Sequence, residues 1–310
     1  MKPRVLQYGR LMPTLEKQLA DTFDHQRLVD QADPQAFLAA QGARFDGIAT
    51  AGFADEALMA ACPNVKVISS FGVGVDRIDL AAAARRGIQV GNTPDVLNDC
   101  VADLTMGLII DVARGVSASE RYLRSGQWPK AAYPLQRKVS GKRLGILGLG
   151  RIGKAIAQRA RGFDMELRYH NRREAAGAGM PYEPTLTGLA RWADFLVVIV
   201  PGGASTKHLV NAEVLDALGP EGYVINVARG SVIDEPALVR ALLERRIAGA
   251  ALDVFENEPQ VPAELMTLDN AVLVPHIGSA TVETRAAMAQ RVFDNLKAFF
   301  DSGRVISQAS

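Results

Sequence analysis

Residues 143–163 read RLGIL, then GLGRIG, then KAIAQRARGF. An apolar run, glycines at 148, 150 and 153 and an amphipathic helical pattern commit this stretch to a strand, a tight turn and a helix. Each glycine has its own physical task. Gly148 permits the turn, Gly150 lets the backbone approach a pyrophosphate, and Gly153 allows the helix to pack closely on the strand. The free N–H groups at the helix start, from Arg151 and Ile152 onward, are expected to face phosphates. Such a unit belongs to a parallel sheet that binds a dinucleotide.

The rest of the chain fits that frame. Short β-branched runs alternate with helical spacing from end to end, the signature of an α/β protein with parallel sheets. A first series has strands expected at Arg4–Tyr8, Gly47–Thr50, Lys66–Ser69 and Ile88–Val90, with helical patterns at Leu15–Asp21, Pro34–Ala40, Ala54–Ala61 and Asp76–Arg86. Asp95 to Arg124 reads as one long helical region interrupted only at Gly107 and Gly115, followed by an extended arm, SGQWPKAAYPLQRKVSGK. The second series has strands at Arg143–Leu147, Glu166–His170, Asp194–Val200, Tyr223–Val227, Gly249–Leu252 and Ala271–Val274. Helices are expected there at Ile152–Arg161, Leu186–Arg191, Ala212–Leu218, Glu235–Arg245 and Thr281–Phe300.

At 310 residues the chain exceeds what one core usually serves. The expected fold is therefore two Rossmann-like domains: a flavodoxin-like substrate domain and a doubly wound NAD(P)-binding domain. The last helix is long enough to return to the first domain, which makes that domain discontinuous. Its expected extent is residues 1–95 plus 285–310. The dinucleotide-binding domain then spans 96–284, with the helix and arm at about 96–140 either as a dimerisation element or as an intramolecular brace.

Lys plus Arg (35) nearly cancels Asp plus Glu (34), so no global field exists to hold a nucleic acid. Cys62 and Cys100 form no Cys-x-x-Cys pair and read as small buried hydrophobes, with no metal site implied. The start, MKPRVLQYGRLMPTLE, lacks the apolar stretch of a secretory signal, and no run approaches a membrane span. A soluble, cytoplasmic protein is expected.

About 20 residues beyond the glycines an NAD-selective site carries an acid for the ribose hydroxyls. This chain has Asn171, Arg172 and Arg173 there. Without the carboxylate a ribose 2′-phosphate is not repelled, and two guanidinium groups can bind it through charge-assisted hydrogen bonds. NADPH is expected as the preferred cofactor, with NADH less favoured.

Polar residues follow several apolar strands of the second series: Arg229 after YVINVA, Asp253 and Glu258 in ALDVFENEP, and His276 after AVLVP. Strand C-terminal ends in such sheets point at the ligand crevice. An arginine there can grip a 2-keto acid, and a protonated histidine can donate to the oxo group as hydride arrives. A carboxylate on the other ring nitrogen orients the imidazole. His25, His170 and His208 have no paired ligands and read as structural or surface residues.

With these pieces assembled, the chain resembles the D-isomer-specific 2-hydroxyacid dehydrogenases, and among them the glyoxylate/hydroxypyruvate reductases. SSFGVGVDRIDL, NTPDVLNDCVADLTMGLI, KRLGILGLGRIGKAIA, VINVARGSVIDEPAL, GAALDVFENEP and VPHIGSAT carry the resemblance, in family order from Ser69 to Thr281. It implies Arg229 as the substrate arginine, His276 as general acid/base and Glu258 as its partner. It also implies that Val73 and Gly74 amides hold the substrate carboxylate and Asp253 binds the nicotinamide carboxamide. Val200, Pro201 and Thr206 would line the adenosine side, with Gly278 and Ser279 near the nicotinamide. The family's reductases are typically homodimers, and Trp128 in the arm is placed either in such an interface or toward a neighbour's site. Closure of the two domains over the substrate is part of the same expectation.

Other activities on this scaffold compete with that reading. Formate oxidation is disfavoured because the relatives that perform it carry Gln where this chain has Glu258. Phosphite oxidation and another D-2-hydroxy acid remain open. 3-Phosphoglycerate dehydrogenases often add a regulatory domain after the long helix. A non-catalytic, nucleotide-sensing corepressor-like protein is the alternative from a different class, against which the Arg–Glu–His set argues.

Overall fold

The computed structural model describes residues 2–309. The chain divides into two compact units, one running up to Leu97 and resuming at Thr281, the other spanning Asn98–Ala280. Both are parallel α/β layers.

The first unit contains β1 (Arg4–Tyr8), α1 (Pro13–Thr22), β2 (Asp24–Arg27), α2 (Pro34–Gln41), β3 (Gly47–Thr50), α3 (Glu56–Ala61), β4 (Val67–Ser70), α4 (Leu80–Arg85) and β5 (Gln89–Gly91). Its sheet has the order β2-β1-β3-β4-β5, all parallel, which is the flavodoxin-like arrangement. β2 is an addition to the strands expected from sequence. Its DHQR carries no apolar alternation because it is an edge strand, held by pairing with β1 and only partly buried. Asp33, Asp55 and Asp79 cap α2, α3 and α4 through their side chains, which explains why those Ala-rich segments start where they do.

The second unit opens with the region expected as one helix from Asp95. It begins at Asn98 instead, and Gly107 lies inside it without interruption. The real break is Gly115, whose left-handed φ of +61° ends α5 (Asn98–Arg114) and starts α6 (Val116–Arg124). After the arm come β6 (Arg143–Leu147), α7 (Arg151–Arg161), β7 (Glu166–His170), α8 (Leu186–Trp192) and β8 (Phe195–Val198). They are followed by α9 (Ala212–Leu218), β9 (Tyr223–Asn226), α10 (Glu235–Leu243), β10 (Gly249–Leu252), α11 (Ala263–Thr267) and β11 (Ala271–Leu273). The strands after Asp194, Tyr223 and Ala271 end one or two residues short of expectation. The short α11 has no counterpart in the sequence reading.

The second sheet runs β11-β10-β9-β8-β6-β7. A single parallel bridge from Tyr182 to Tyr169 adds a vestigial strand outside β7. Counted with it, the strand order reverses between β6 and β8, so the loops after Leu147 and Val198 flank the ligand-binding switch point of a doubly wound sheet. β8, β9 and β10 are buried on both faces, as strands covered by helices on each side must be. Each fully buried Leu, Ile or Val here contributes roughly 1.5–3 kcal/mol relative to exposure. Among the described residues no helix is long and apolar enough to cross a membrane.

In the first unit the returning helix α12 (Val282–Ser302) packs on β4 and α1. It does more than fill the core. Fully buried Asn295 donates to the carbonyl of Asn92 (3.1 Å) and accepts from the Ser307 N–H (3.0 Å). Asn92 in turn donates to the carbonyl of Val73 (2.9 Å), and the Thr93 N–H donates to that of Gly72 (3.0 Å). The end of the chain thus fixes the FGVGVD loop.

Candidate active site

Each glycine of the 148–153 motif sits in a distinct environment. Gly148 has φ +108°, and a Cβ there would lie 2.4 Å from the Ile199 carbonyl oxygen. A Cβ on Gly153 would meet the Gly148 carbonyl oxygen at 2.2 Å, so strand and helix approach as closely as glycine permits. At Gly150, by contrast, a Cβ would meet nothing within 4 Å. That open side, at the residue capping α7, is where a pyrophosphate would rest against the amides of Arg151 and Ile152.

Asn171 follows β7 and accepts from the Leu149 N–H through its Oδ1 at 2.7 Å. Its amide group is thereby oriented, with the Nδ2 donor on the opposite branch. Arg172 and Arg173 are exposed and form no ion pair among the described residues. Donors stand where an acid would otherwise sit, and this donor set fits a phosphorylated ribose.

The catalytic residues expected from sequence come from separate loops of the same unit. Buried Asn226 ends β9, accepts from the Ala228 N–H (3.1 Å) and donates to the Arg229 carbonyl (3.0 Å), folding the turn that presents Arg229. The next residue, Gly230, lies against the Phe255–Glu256 backbone; a Cβ there would sit 1.8 Å from the Phe255 carbonyl carbon. The Arg229 loop and the loop after β10 are therefore in direct backbone contact. On the latter, Glu258 accepts from the Phe255 N–H through Oε1 (3.1 Å) and lies 2.7 Å from His276 Nδ1 through Oε2. An ionised carboxylate is acceptor only, so Nδ1 carries its hydrogen and Nε2 is the nitrogen left for chemistry. The imidazole is 47% exposed and the carboxylate 34%.

Burial opposes ionisation of Glu258, yet the hydrogen bonds from His276 and Phe255 and the charges of His276 and Arg229 outweigh it. Its carboxyl is held below the usual range. Among the described residues no cluster of His, Cys, Asp or Glu could hold a metal ion.

Asp253, at the end of β10, has a further duty that sequence did not reveal. It is 2% exposed, and its Oδ1 and Oδ2 accept from the N–H groups of Ile277 (2.6 Å) and Gly278 (2.9 Å). Its carbonyl accepts from the His276 N–H at 2.9 Å. His276 itself has φ +51°, an uncommon left-handed conformation that this three-point grip maintains. Burial pushes the Asp253 carboxyl above its usual range, and the two amides only partly offset that.

The remaining predicted residues are placed as follows. Thr206 closes the loop after β8 on itself, donating to the carbonyl of Pro201 at 2.7 Å, with Val200 partly buried beneath. Ser279 follows Gly278 on the His276 loop. Val73 and Gly74 lie on the FGVGVD loop of the first unit, where the carbonyl of Val73 is anchored by Asn92. The remaining histidines each have a hydrogen-bonding neighbour that the sequence did not reveal: His208 Nε2 lies 3.1 Å from Glu256 Oε1, His25 Nε2 3.0 Å from Gln7 Oε1 and His170 Nδ1 2.8 Å from the Glu183 carbonyl.

Comparison with known proteins identifies the family. Residues 106–278 match the model of the D-isomer specific 2-hydroxyacid dehydrogenase, NAD binding domain. A glyoxylate/hydroxypyruvate reductase A of Arabidopsis thaliana is 49% identical over 261 residues, covering 84% of this chain and 83% of the relative. A hydroxyphenylpyruvate reductase of Plectranthus scutellarioides is 46% identical over 92% of each chain. Among solved structures, an NADPH-dependent glyoxylate/hydroxypyruvate reductase from Sinorhizobium meliloti, in complex with NADP and malonate, superposes with a TM-score of 0.95. It shares 46% identity, and the match covers 100% of this chain and 97% of that one. The chain belongs to the D-isomer-specific 2-hydroxyacid dehydrogenase family. It is an NAD(P)-dependent oxidoreductase of that family.

Proposed function

We propose that the protein is an NADPH-preferring reductase of glyoxylate and hydroxypyruvate, yielding the D-2-hydroxy acid where the product is chiral. The observation that carries this reading is the Glu258–His276 pair near Arg229, in the unit whose glycine loop is flanked by Asn171, Arg172 and Arg173. The names of the Arabidopsis and Sinorhizobium relatives support the same substrates, and the latter supports the same cofactor.

A bound nicotinamide supplies the hydride. Arg229 grips the substrate through its carboxylate and oxo oxygen, lowering the energy of the charge that develops there. His276 donates the Nε2 proton to that oxygen, and Glu258 holds the ring through Nδ1 and balances its charge. The amides of Val73 and Gly74 take the substrate carboxylate, and the first unit is assigned as the substrate domain. Gly148, Gly150, Arg151, Ile152 and Gly153 form the pyrophosphate cradle. Arg172 and Arg173 take the 2′-phosphate. Val200, Pro201 and Thr206 line the adenosine side, and Gly278 and Ser279 lie at the nicotinamide. The lone pairs that Asp253 keeps beyond its loop contacts take the carboxamide.

A cytoplasmic homodimer is part of this proposal. The exposed apolar side chains of Val116, Leu123, Trp128 and Leu135 lie on α6 and the arm, where a second copy would cover them. Light scattering on the purified protein tests that state.

The test of function follows NADPH oxidation with glyoxylate, hydroxypyruvate, pyruvate, phenylpyruvate and phosphite (the last in the oxidative direction), repeated with NADH or NAD. Highest kcat/KM with NADPH and glyoxylate or hydroxypyruvate is expected. Preference for NADH, or no turnover of either keto acid, overturns the reading. An aryl-substituted keto acid is the second possibility, favoured by the 46% identity to the hydroxyphenylpyruvate reductase; phenylpyruvate in the panel decides it.

A further inference from the structure

A second histidine–glutamate pair stands beside the one just described. His208 lies two residues past Thr206, in the segment leaving the proposed adenosine-side loop, and adopts a left-handed φ of +53°. Its N–H donates to the Ser231 carbonyl at 2.9 Å, and the Val210 N–H donates to that of Val232 at 3.0 Å. The segment is thereby stitched to residues just beyond Arg229. Its imidazole reaches across to Glu256, half-buried at 3.1 Å, on the loop that carries Glu258. Glu256 is itself fixed: its N–H donates to Oε2 of the buried Glu235 at 3.1 Å, at the start of α10. One residue away, the Phe255 N–H holds Glu258 Oε1.

We infer that His208 and Glu256 are positioning residues whose side-chain contact fixes the Glu258 loop against the Arg229 segment and the loop after β8. The inference rests on the reductase reading above. Neither side chain is in the catalytic set; the pair acts through Phe255 and Glu258 on the His276 ring. A left-handed non-glycine residue is retained at a cost in backbone energy, and here that conformation accompanies an imidazole aimed at Glu256. Loops tied at both ends by backbone contacts still rotate about them. A side-chain strut between the loops removes that freedom, and misplacement by even an ångström is costly in catalysis.

The experiment compares the wild type with His208→Ala, His208→Gln, Glu256→Ala and the His208→Ala/Glu256→Ala double variant. It measures kcat and KM for both substrates, with thermal melting and NADPH binding by fluorescence. His208→Ala and Glu256→Ala are each expected to lower kcat about tenfold, with KM for the keto acid changed less than twofold. His208→Gln keeps an amide donor toward Glu256 and is expected to recover most of kcat. The double variant is expected to fall no further than either single one, the mark of a shared contact. Normal kcat in both alanine variants, or losses that multiply in the double variant, overturns the inference. So does loss of kcat in His208→Gln equal to that in His208→Ala in a folded, NADPH-binding protein. A wild type inactive on every keto acid overturns the reductase reading and this inference together. An active wild type with unaffected variants overturns this inference alone.

Discussion

Replacing Glu258 with Gln isolates the electrostatic part of the catalytic pair while keeping the side chain's shape. The wild-type carboxylate accepts on both oxygens, from the Phe255 N–H at 3.1 Å and from His276 Nδ1 at 2.7 Å. A glutamine amide has one acceptor, so the variant must give up one of these bonds or set two donors against each other. A hydrogen bond involving an ion contributes about 1.5–3 kcal/mol. With 34% of the carboxylate and 47% of the imidazole exposed, solvent screening reduces the expected loss. A net effect of about 1–2 kcal/mol corresponds to a roughly five- to thirty-fold fall in kcat for reduction. The pH dependence has a definite sign. Glutamine does not ionise, so an acid-side loss of rate that comes from protonating Glu258 is expected to be absent from the variant. On the acid side, the wild-type Glu258 carboxyl is held below its ordinary range, so its own protonation impairs activity only below that range. Stopped-flow and steady-state NADPH oxidation from pH 5 to 9 provide the measurement. A Gln variant with the wild-type pH profile and turnover would show that Glu258 neither holds nor charges the histidine.

Other expectations follow from single contacts. Arg172→Ala and Arg173→Ala should each raise the KM for NADPH about tenfold, a loss of about 1.4 kcal/mol, with that for NADH little changed. Asn171→Asp preserves the acceptor for the Leu149 N–H, so the variant should fold normally while its NADPH-to-NADH ratio of kcat/KM drops at least about tenfold. Gly150→Ala should melt like the wild type yet bind NADPH poorly, because its Cβ occupies only open space. Gly153→Ala should lower the melting temperature, because its Cβ meets the Gly148 carbonyl oxygen at 2.2 Å. Asp253→Asn turns one acceptor of the Ile277 and Gly278 amides into a donor, costing about 1–3 kcal/mol and lowering kcat through His276. Because the folded protein holds the Asp253 proton more tightly than the unfolded chain, wild-type stability falls as pH rises from the ordinary carboxylate range to the raised value. Denaturant melts of Asp253→Asn should lack that segment.

Local pattern reached far in this chain. The glycine motif and the apolar strands with polar residues after them are short-range features, each written within about ten consecutive residues. Because strand and helix periods and turn chemistry are local, the flavodoxin-like and doubly wound sheets were legible, and the family resemblance supplied Arg229, Glu258 and His276 as candidates. Where neighbours distant in sequence supply the stabilisation, legibility ended. β2 exists because β1 offers it a ladder, although DHQR has no strand pattern of its own. Asp253 and Glu258 are two carboxylates on one loop; the family resemblance already paired Glu258 with His276, but only folding showed that Asp253 grips the amides beyond that ring. His208 and Glu256 meet across 48 positions, and Asn295 reaches Asn92 across 203. Sequence alone determined most of the strands and helices and the motifs that mark the family. Tertiary structure decided which groups distant in the chain meet, since a hydrogen bond depends on ångström-scale placement that no spacing along the chain encodes.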